Sequence, residues 1–270
     1  MINVAIHSVP RSGSSWLGEI INSSPEVVYK FQPLFSYAFK DALGVFSTTE
    51  DVSFFFQQLK ASSNEFLDQT ADRESGKKPV FQKRSPQVIA YKEVRYHHIL
   101  ENMLAVDPSL KLVALVRNPL EVLASWHEAP REFRHDLGWS FKEEWRSGAS
   151  KNAGRPEEFF GYDCWKEAAI IFHRLASIYP ERVFLINYKD LTSDTYGYVK
   201  GLFRFVGLEF SSQTEKFIKH STNQTVEGDY SIYKGRVNNK LWESVLSKDI
   251  IDFIFSDLEG SDLITYLPLI

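Results

Sequence analysis

The sequence predicts an α/β fold in which one central parallel sheet is flanked by helices. Three observations predict it. Short β-prone runs alternate with longer amphipathic segments along the 270 residues. The run at 110–116 is apolar at almost every position, as a strand covered on both faces must be. No internal repeat, low-complexity tract or linker divides the chain, so 1–270 reads as one domain.

The elements follow in order. A strand starts at residue 2 and ends in the small-residue turn Pro10-Arg11-Ser12-Gly13-Ser14-Ser15. Leu17, Ile20 and Ile21 then recur at helical spacing. A second strand at 26–31 follows the turn Ser23-Ser24-Pro25 and closes at Gln32-Pro33. Residues 36–46 and 51–67 read as helices, and 68–79, rich in charge, as a surface loop. A third strand spans 88–94, and a helix at 97–106 breaks at Asp107-Pro108. After the strand at 110–116, Asn118-Pro119 opens a helix with proline at its first position. Residues 129–156 read as irregular, and a long helix as covering about 157–179. A strand at 182–187 leads to helices at about 193–206 and 211–219. A polar surface loop at 222–239 and a helix at 240–255 complete the reading.

Composition narrows the function. The chain is 43% hydrophobic and 14% aromatic, enough for a substantial core. A net charge of −4 speaks against a general nucleic-acid binder. The single cysteine, Cys164, leaves no intrachain disulfide and no cysteine metal cluster. No apolar run approaches the ~18 residues of a membrane span. The early first strand leaves no room for a signal peptide, so a soluble, cytoplasmic protein is expected, an anchor removed upstream being compatible with this.

The first turn is the leading candidate site. A glycine- and serine-rich loop at a helix N-terminus offers amides and hydroxyls to an anion. Against the pattern G-x-x-x-x-G-K-[ST], Gly13 and Ser15 match, while Ser8 replaces the first glycine and Ser14 the lysine. That lysine serves the terminal phosphates of a nucleoside triphosphate, so its absence argues against a kinase. Arg11 supplies a cation suited to bidentate oxyanion contact. Taken alone, the loop is equally a capped turn with an exposed arginine.

A second anchor lies at the carboxyl end of the 110–116 strand, where ligands of open α/β sheets gather. Arg117 stands there, and Ser125 follows about two turns into the next helix. Pro10-Arg11-Ser12-Gly13-Ser14-Ser15-Trp16 together with Arg117 and Ser125 resembles the two nucleotide motifs of sulfotransferases that use 3′-phosphoadenylyl sulfate (PAPS). The likeness is closest to the carbohydrate O-sulfotransferases, through Val28-Tyr29-Lys30-Phe31-Gln32-Pro33-Leu34 and Lys92-Glu93-Val94-Arg95.

The resemblance implies a P-loop-like sulfotransferase fold and transfer of a sulfuryl group from PAPS to an acceptor hydroxyl. Adenosine 3′,5′-bisphosphate (PAP) is then the product, and no metal is required. It implies that Arg11, Ser12, Gly13, Ser14, Ser15 and Trp16 hold the phosphosulfate and that Arg117 and Ser125 hold the 3′-phosphate. Weaker matches add Tyr188 and the degenerate loop Lys234-Gly235-Arg236. Gln32 replaces the glutamate many family members carry, and it cannot titrate. Lys92 is therefore taken as a catalytic-site residue beside Arg11, with Glu93 and His127 as alternative bases; His97 and Glu128 are further candidates. A carbohydrate acceptor is expected, its sugar meeting Trp139, Phe141 and Trp145 among Arg131, Arg134, Arg146 and Lys151. The alternatives are a lipid, phenol or natural-product acceptor, a P-loop kinase, or a nucleotide-binding module without catalysis. The oligomeric state is not read from the sequence.

Overall fold

Five strands in the computed structural model form one sheet: β1 (Ile2–His7), β2 (Val27–Phe31), β3 (Val88–Glu93), β4 (Lys111–Val116) and β5 (Val183–Asn187). The structure describes residues 1–223, 232 and 240–268. The strand order is β2-β3-β1-β4-β5, and every neighbouring pair is parallel.

The near-continuous apolar runs explain this sheet, because successive side chains point to opposite faces and both are covered. Ala5, Ile89, Tyr91, Leu112 and Ala114 join one core layer, whereas Val4, Ile6, Ala90, Val113 and Leu115 join the other. The second layer is closed by α1 (Ser14–Asn22) and the helices Thr195–Val206 and Ser212–Asn223. The first is closed by α2 (Thr49–Ala61) and the helices Leu100–Val106, Pro119–His127, Tyr162–Ile178 and Lys248–Leu258. Central position goes to β1, with β4 beside it. From β1 the chain grows toward β2, and from β4 it grows the other way toward β5. The carboxyl ends of β1 and β4 therefore flank the crevice where an open α/β sheet binds ligands.

Several local expectations give way to the structure. Residues 36–46 form turns rather than a helix. Ser36 Oγ donates back to the Pro33 carbonyl, Asp41 takes φ 56°, and Asn102 Nδ2 donates to the Ser47 carbonyl at 2.8 Å. Such side-chain bonds satisfy the backbone in place of a helix. The segment expected at 51–67 breaks after Ala61, and Asn64 caps a short second helix, Glu65–Asp68. Residues 68–79 hold a helical turn, Thr70–Glu74, and are not simply a surface loop. Arg73 donates to both carboxylate oxygens of the buried Glu19, at 2.8 and 3.3 Å. Residues 129–156 contain two short helices, Phe141–Ser147 and Ala149–Asn152. The long helix starts only at Tyr162, because Gly161 sits at φ 91°. The last helix is split, with Leu241–Val245 preceding Lys248–Leu258. Among the described residues no helix is long and apolar enough to cross a membrane.

Packing of α1 on β2 leaves no room for a side chain at Gly18. A Cβ there would lie 2.3 Å from Tyr29 Oη, on a ring that is itself buried. Gly18→Ala should cost about 1–3 kcal/mol, as overpacking of a filled core does. Tyr29→Phe in the same chain should recover part of that loss; equal urea stability of Gly18→Ala and wild type would contradict the close approach.

Candidate active site

The loop after β1 owes its shape to two left-handed residues, Arg11 at φ 66° and Gly13 at φ 89°. For Arg11 this conformation costs on the order of 1 kcal/mol or more. Gly13 is required for a second reason: a Cβ there would stand 2.6 Å from Tyr188 Cε2. Gly13 supplies no side-chain cap to α1, so the first amides of that helix have no side-chain acceptor. Ser12 Oγ is buried and has no hydrogen-bond partner among the described residues. Trp16 Nε1 donates to Ser221 Oγ at 2.9 Å, tying α1 to the helix Ser212–Asn223.

The end of β4 closes onto this loop. Arg117 Nη1 donates to the Arg11 carbonyl at 3.1 Å and Nε to Glu121 Oε2 at 2.7 Å. Its guanidinium lies 4.7 Å from the centroid of the Tyr188 ring. The Arg117 carbonyl is held from behind by Trp165 Nε1 at 2.9 Å. Asn118 caps the helix Pro119–His127 by accepting from the Leu120 amide. That helix presents Ser125, whose Oγ accepts from Arg11 Nε at 3.1 Å; Glu132 lies 4.0 Å from Arg11 Nη1. Arg11, Arg117, Ser125 and Tyr188, distant in sequence, thus share one cluster.

A titrating pair ends β3. Lys92 is buried, with Nζ 4.8 Å from the centroid of Phe31. Burial lowers it to about 7, against the pull of Glu93 and helped by the nearby Lys78. Glu93 is fully buried; its Oε1 accepts from the Val94 amide at 3.0 Å, Oε2 makes no hydrogen bond among the described residues, and the Phe35 amide also favours the charged carboxylate. Burial raises it to about 7, opposed by those amides. Gln32 Oε1 accepts from Arg95 Nη1 at 3.0 Å, and Arg95 Nε donates to Glu158 at 2.9 Å. Arg95 and Glu158 line a cavity of about 430 Å³, with Leu34, Phe35, Phe66 and Arg155 also in its wall.

A family model described as the sulfotransferase domain matches residues 2–246. The chain belongs to the sulfotransferase family. Cytosolic sulfotransferase 14 of Arabidopsis thaliana is 24% identical to it over 268 residues, covering 98% of this chain and 70% of that protein. Among solved structures, mouse sulfotransferase SULT7A1 complexed with PAP matches with a TM-score of 0.56 at 14% identity, covering 98% of this chain and 86% of that one. A sulfotransferase from Alicyclobacillus acidocaldarius matches with a TM-score of 0.55 at 15% identity, covering 100% and 97%. Retinol dehydratase in complex with retinol and PAP gives 0.53 at 15%, covering 97% and 82%. At these identities the structural likeness is one of fold.

Other residues singled out from the sequence sit elsewhere in this sulfotransferase. His127 pairs with Glu128, Nδ1 to Oε1 at 2.8 Å, and packs against Phe133, His135 and Phe141 rather than the loop. His97 is buried, its Nδ1 3.0 Å from His7 Nδ1, and burial holds both rings well below the usual range, His7 at about 3. Phe141 packs on Trp126, Trp139 on Phe133, and Trp145 on Tyr162 and Phe253, so these rings serve the core. Lys234, Gly235 and Arg236 lie outside the described residues. The sequence reading missed Trp165, 48 residues from the carbonyl it holds, and Lys78, placed in a supposed surface loop. Neither carries a signal in local spacing.

The depressed lysine has a measurable consequence. Above its ordinary value of 10.5, Lys92 is neutral whether folded or unfolded. As pH falls toward 7 the unfolded chain takes a proton that the folded chain resists, so stability is lost across that window. Lys92→Met should therefore stabilise the fold most near pH 7, with the gain shrinking toward pH 10.5 in urea unfolding. A gain independent of pH would contradict the buried charge.

Proposed function

We propose that this sulfotransferase moves a sulfuryl group from PAPS to a hydroxyl presented from the cavity beside Gln32 and Arg95. The observation that carries the reading is the bond from Arg117 to the Arg11 carbonyl, which joins two anion-binding elements at the β1/β4 crevice. The donors present suit a bisphosphate. Among the described residues Ser12 Oγ is buried without a partner and α1 starts without a side-chain cap, and two arginines flank them. PAPS supplies the sulfuryl group and, on its loss, a phosphate leaving group.

The chain's own residues supply the rest. Arg11 and the amides of Ser12, Gly13, Ser14 and Ser15 take the phosphosulfate end, where developing negative charge needs fixed donors. Arg117 and Ser125 take the 3′-phosphate, Tyr188 stacks beneath Arg117, and Trp16 fixes the wall of the site. Lys234, Gly235 and Arg236 are assigned to the same nucleotide through the resemblance alone. Lys92 faces the sulfuryl oxygens as a cation. Glu93, made more basic by burial, accepts the proton leaving the acceptor hydroxyl at Oε2, which makes no hydrogen bond among the described residues. Gln32 is held by Arg95 and orients the cavity wall.

For the acceptor, the Leu34, Phe35, Tyr37 and Phe66 part of the cavity wall supports a hydroxyl carried on an apolar or aromatic body. The saccharide alternative is supported by the sequence resemblance. Incubation with ³⁵S-labelled PAPS and a panel of phenols, aliphatic alcohols and glycans tests both, with label expected on the first two classes. Magnesium-dependent ATP binding with no PAPS binding would instead favour a kinase.

Arg11→Ala and Arg117→Ala should each weaken PAP binding by more than about tenfold, as loss of a charge-assisted contact does. Calorimetry showing wild-type affinity in both would remove the site. Glu93→Gln should lower kcat by on the order of 10²–10⁴ while leaving PAP affinity unchanged.

A further inference from the structure

The segment from Thr70 to Pro86 belongs to none of the motifs above, yet it buries a cation beside the site. Lys78 is only 7% exposed, and its Nζ lies 4.9 Å from the centroid of the Phe31 ring. The same ring carries Lys92 Nζ at 4.8 Å. The two ammonium groups are thus no farther apart than the sum of those distances, and the charge of Lys78 opposes that of Lys92. Neither makes a hydrogen bond or an ion pair with a described residue.

Buried charges are normally paired, because desolvation of an ion is costly. A contact with an aromatic face returns only part of that cost. The acid that acts most on Lys78 is already satisfied, with Asp72 acting on it less: Glu19 takes two bonds from Arg73 and one from Asn22 Nδ2 at 2.8 Å. Lys78 is not placed there by a slack loop. Arg73 also donates to the Pro79 carbonyl, the Lys78 amide donates to the Asp72 carbonyl at 3.0 Å, and Lys83 Nζ donates to Asn22 Oδ1 at 2.8 Å. The clamped segment holds a second lysine over the ring at the end of β2. Phe31 pairs in register with Lys92, and Lys92 with Ile6 of β1, directly below the Ser8–Gly13 loop.

We propose that Lys78 and Lys92 form a cationic subsite for a tetrahedral oxyanion, making Lys78 a ligand-binding residue supplied from outside the nucleotide loops. This rests on the sulfuryl-transfer reading, and the occupant it assigns is the sulfuryl group of PAPS. A phosphate group is a tetrahedral oxyanion of the same shape, so the test separates the two.

Lys78→Met keeps the aliphatic stem and removes the charge; Lys78→Arg keeps the charge. Wild type and both variants are titrated calorimetrically with PAPS and with PAP, which lacks the sulfuryl group. Lys78→Met should weaken PAPS binding by about tenfold or more and PAP binding little, with Lys78→Arg restoring most of the affinity. The ligand-free melting temperature of Lys78→Met should equal or exceed that of wild type, whereas a merely structural lysine would lower it. Equal losses for PAP and PAPS support the cationic subsite with the 5′-phosphate as its occupant. Unchanged affinity for both ligands in Lys78→Met, with wild type binding both, overturns the subsite and leaves the sulfuryl-transfer reading standing. Failure of wild type to bind either ligand overturns that reading as well.

Discussion

The carboxyl edge of this sheet depends on how Arg117 is held. Its carbonyl is fixed by Trp165, and its guanidinium is shared between the Arg11 carbonyl, Glu121 and the face of Tyr188. One residue at the end of β4 therefore joins the loop after β1, two helices and the segment after β5. The loop contains two left-handed residues, one of them not glycine, and that conformation persists only where its surroundings over-determine it. Arg117 and Tyr188 provide those surroundings. Each arginine faces an acid of its own, Arg117 with Glu121 and Arg11 with Glu132.

The site is charged beyond what the fold needs. Lys92 and Glu93 sit at the end of one strand, both buried, each displaced by burial away from its charged form. Ion pairs elsewhere are closed, as in Glu19 with Arg73 and Glu158 with Arg95. The contrast marks the two kinds of buried charge apart: the first saturate one another, and the second stay short of partners, as groups at functional sites often do. Gln32, which cannot titrate, is spent as an acceptor for Arg95.

All five strands were legible in the sequence, since a parallel sheet covered on both faces demands apolar runs and its turns carry Gly, Ser, Asn and Pro. The loop at 10–16 and the Arg117–Ser125 pair were legible for the same reason: each is a local pattern at a strand end. What was not legible depends on contacts between distant residues. The turns at 36–46 follow from hydrogen bonds made by Asn102. The order in 68–79 follows from Arg73 finding Glu19, 54 positions away. The titration of Lys92 and Glu93 is set by their burial, which adjacency in sequence does not reveal. The aromatic residues at 139–145 were legible as aromatic, but whether they face a ligand or the core was decided by packing.

The central claim is that two anion sites, one on the loop after β1 and one at the end of β4, grip a nucleotide bisphosphate without help from a metal ion. Calorimetric titration of the full chain with PAP and with adenosine 5′-monophosphate, both in the presence of EDTA, tests it most directly. The account predicts one PAP bound per chain, with the monophosphate at least about tenfold weaker because it leaves Arg117 and Ser125 without their phosphate. Equal affinity for the two nucleotides, or binding of neither, would contradict it.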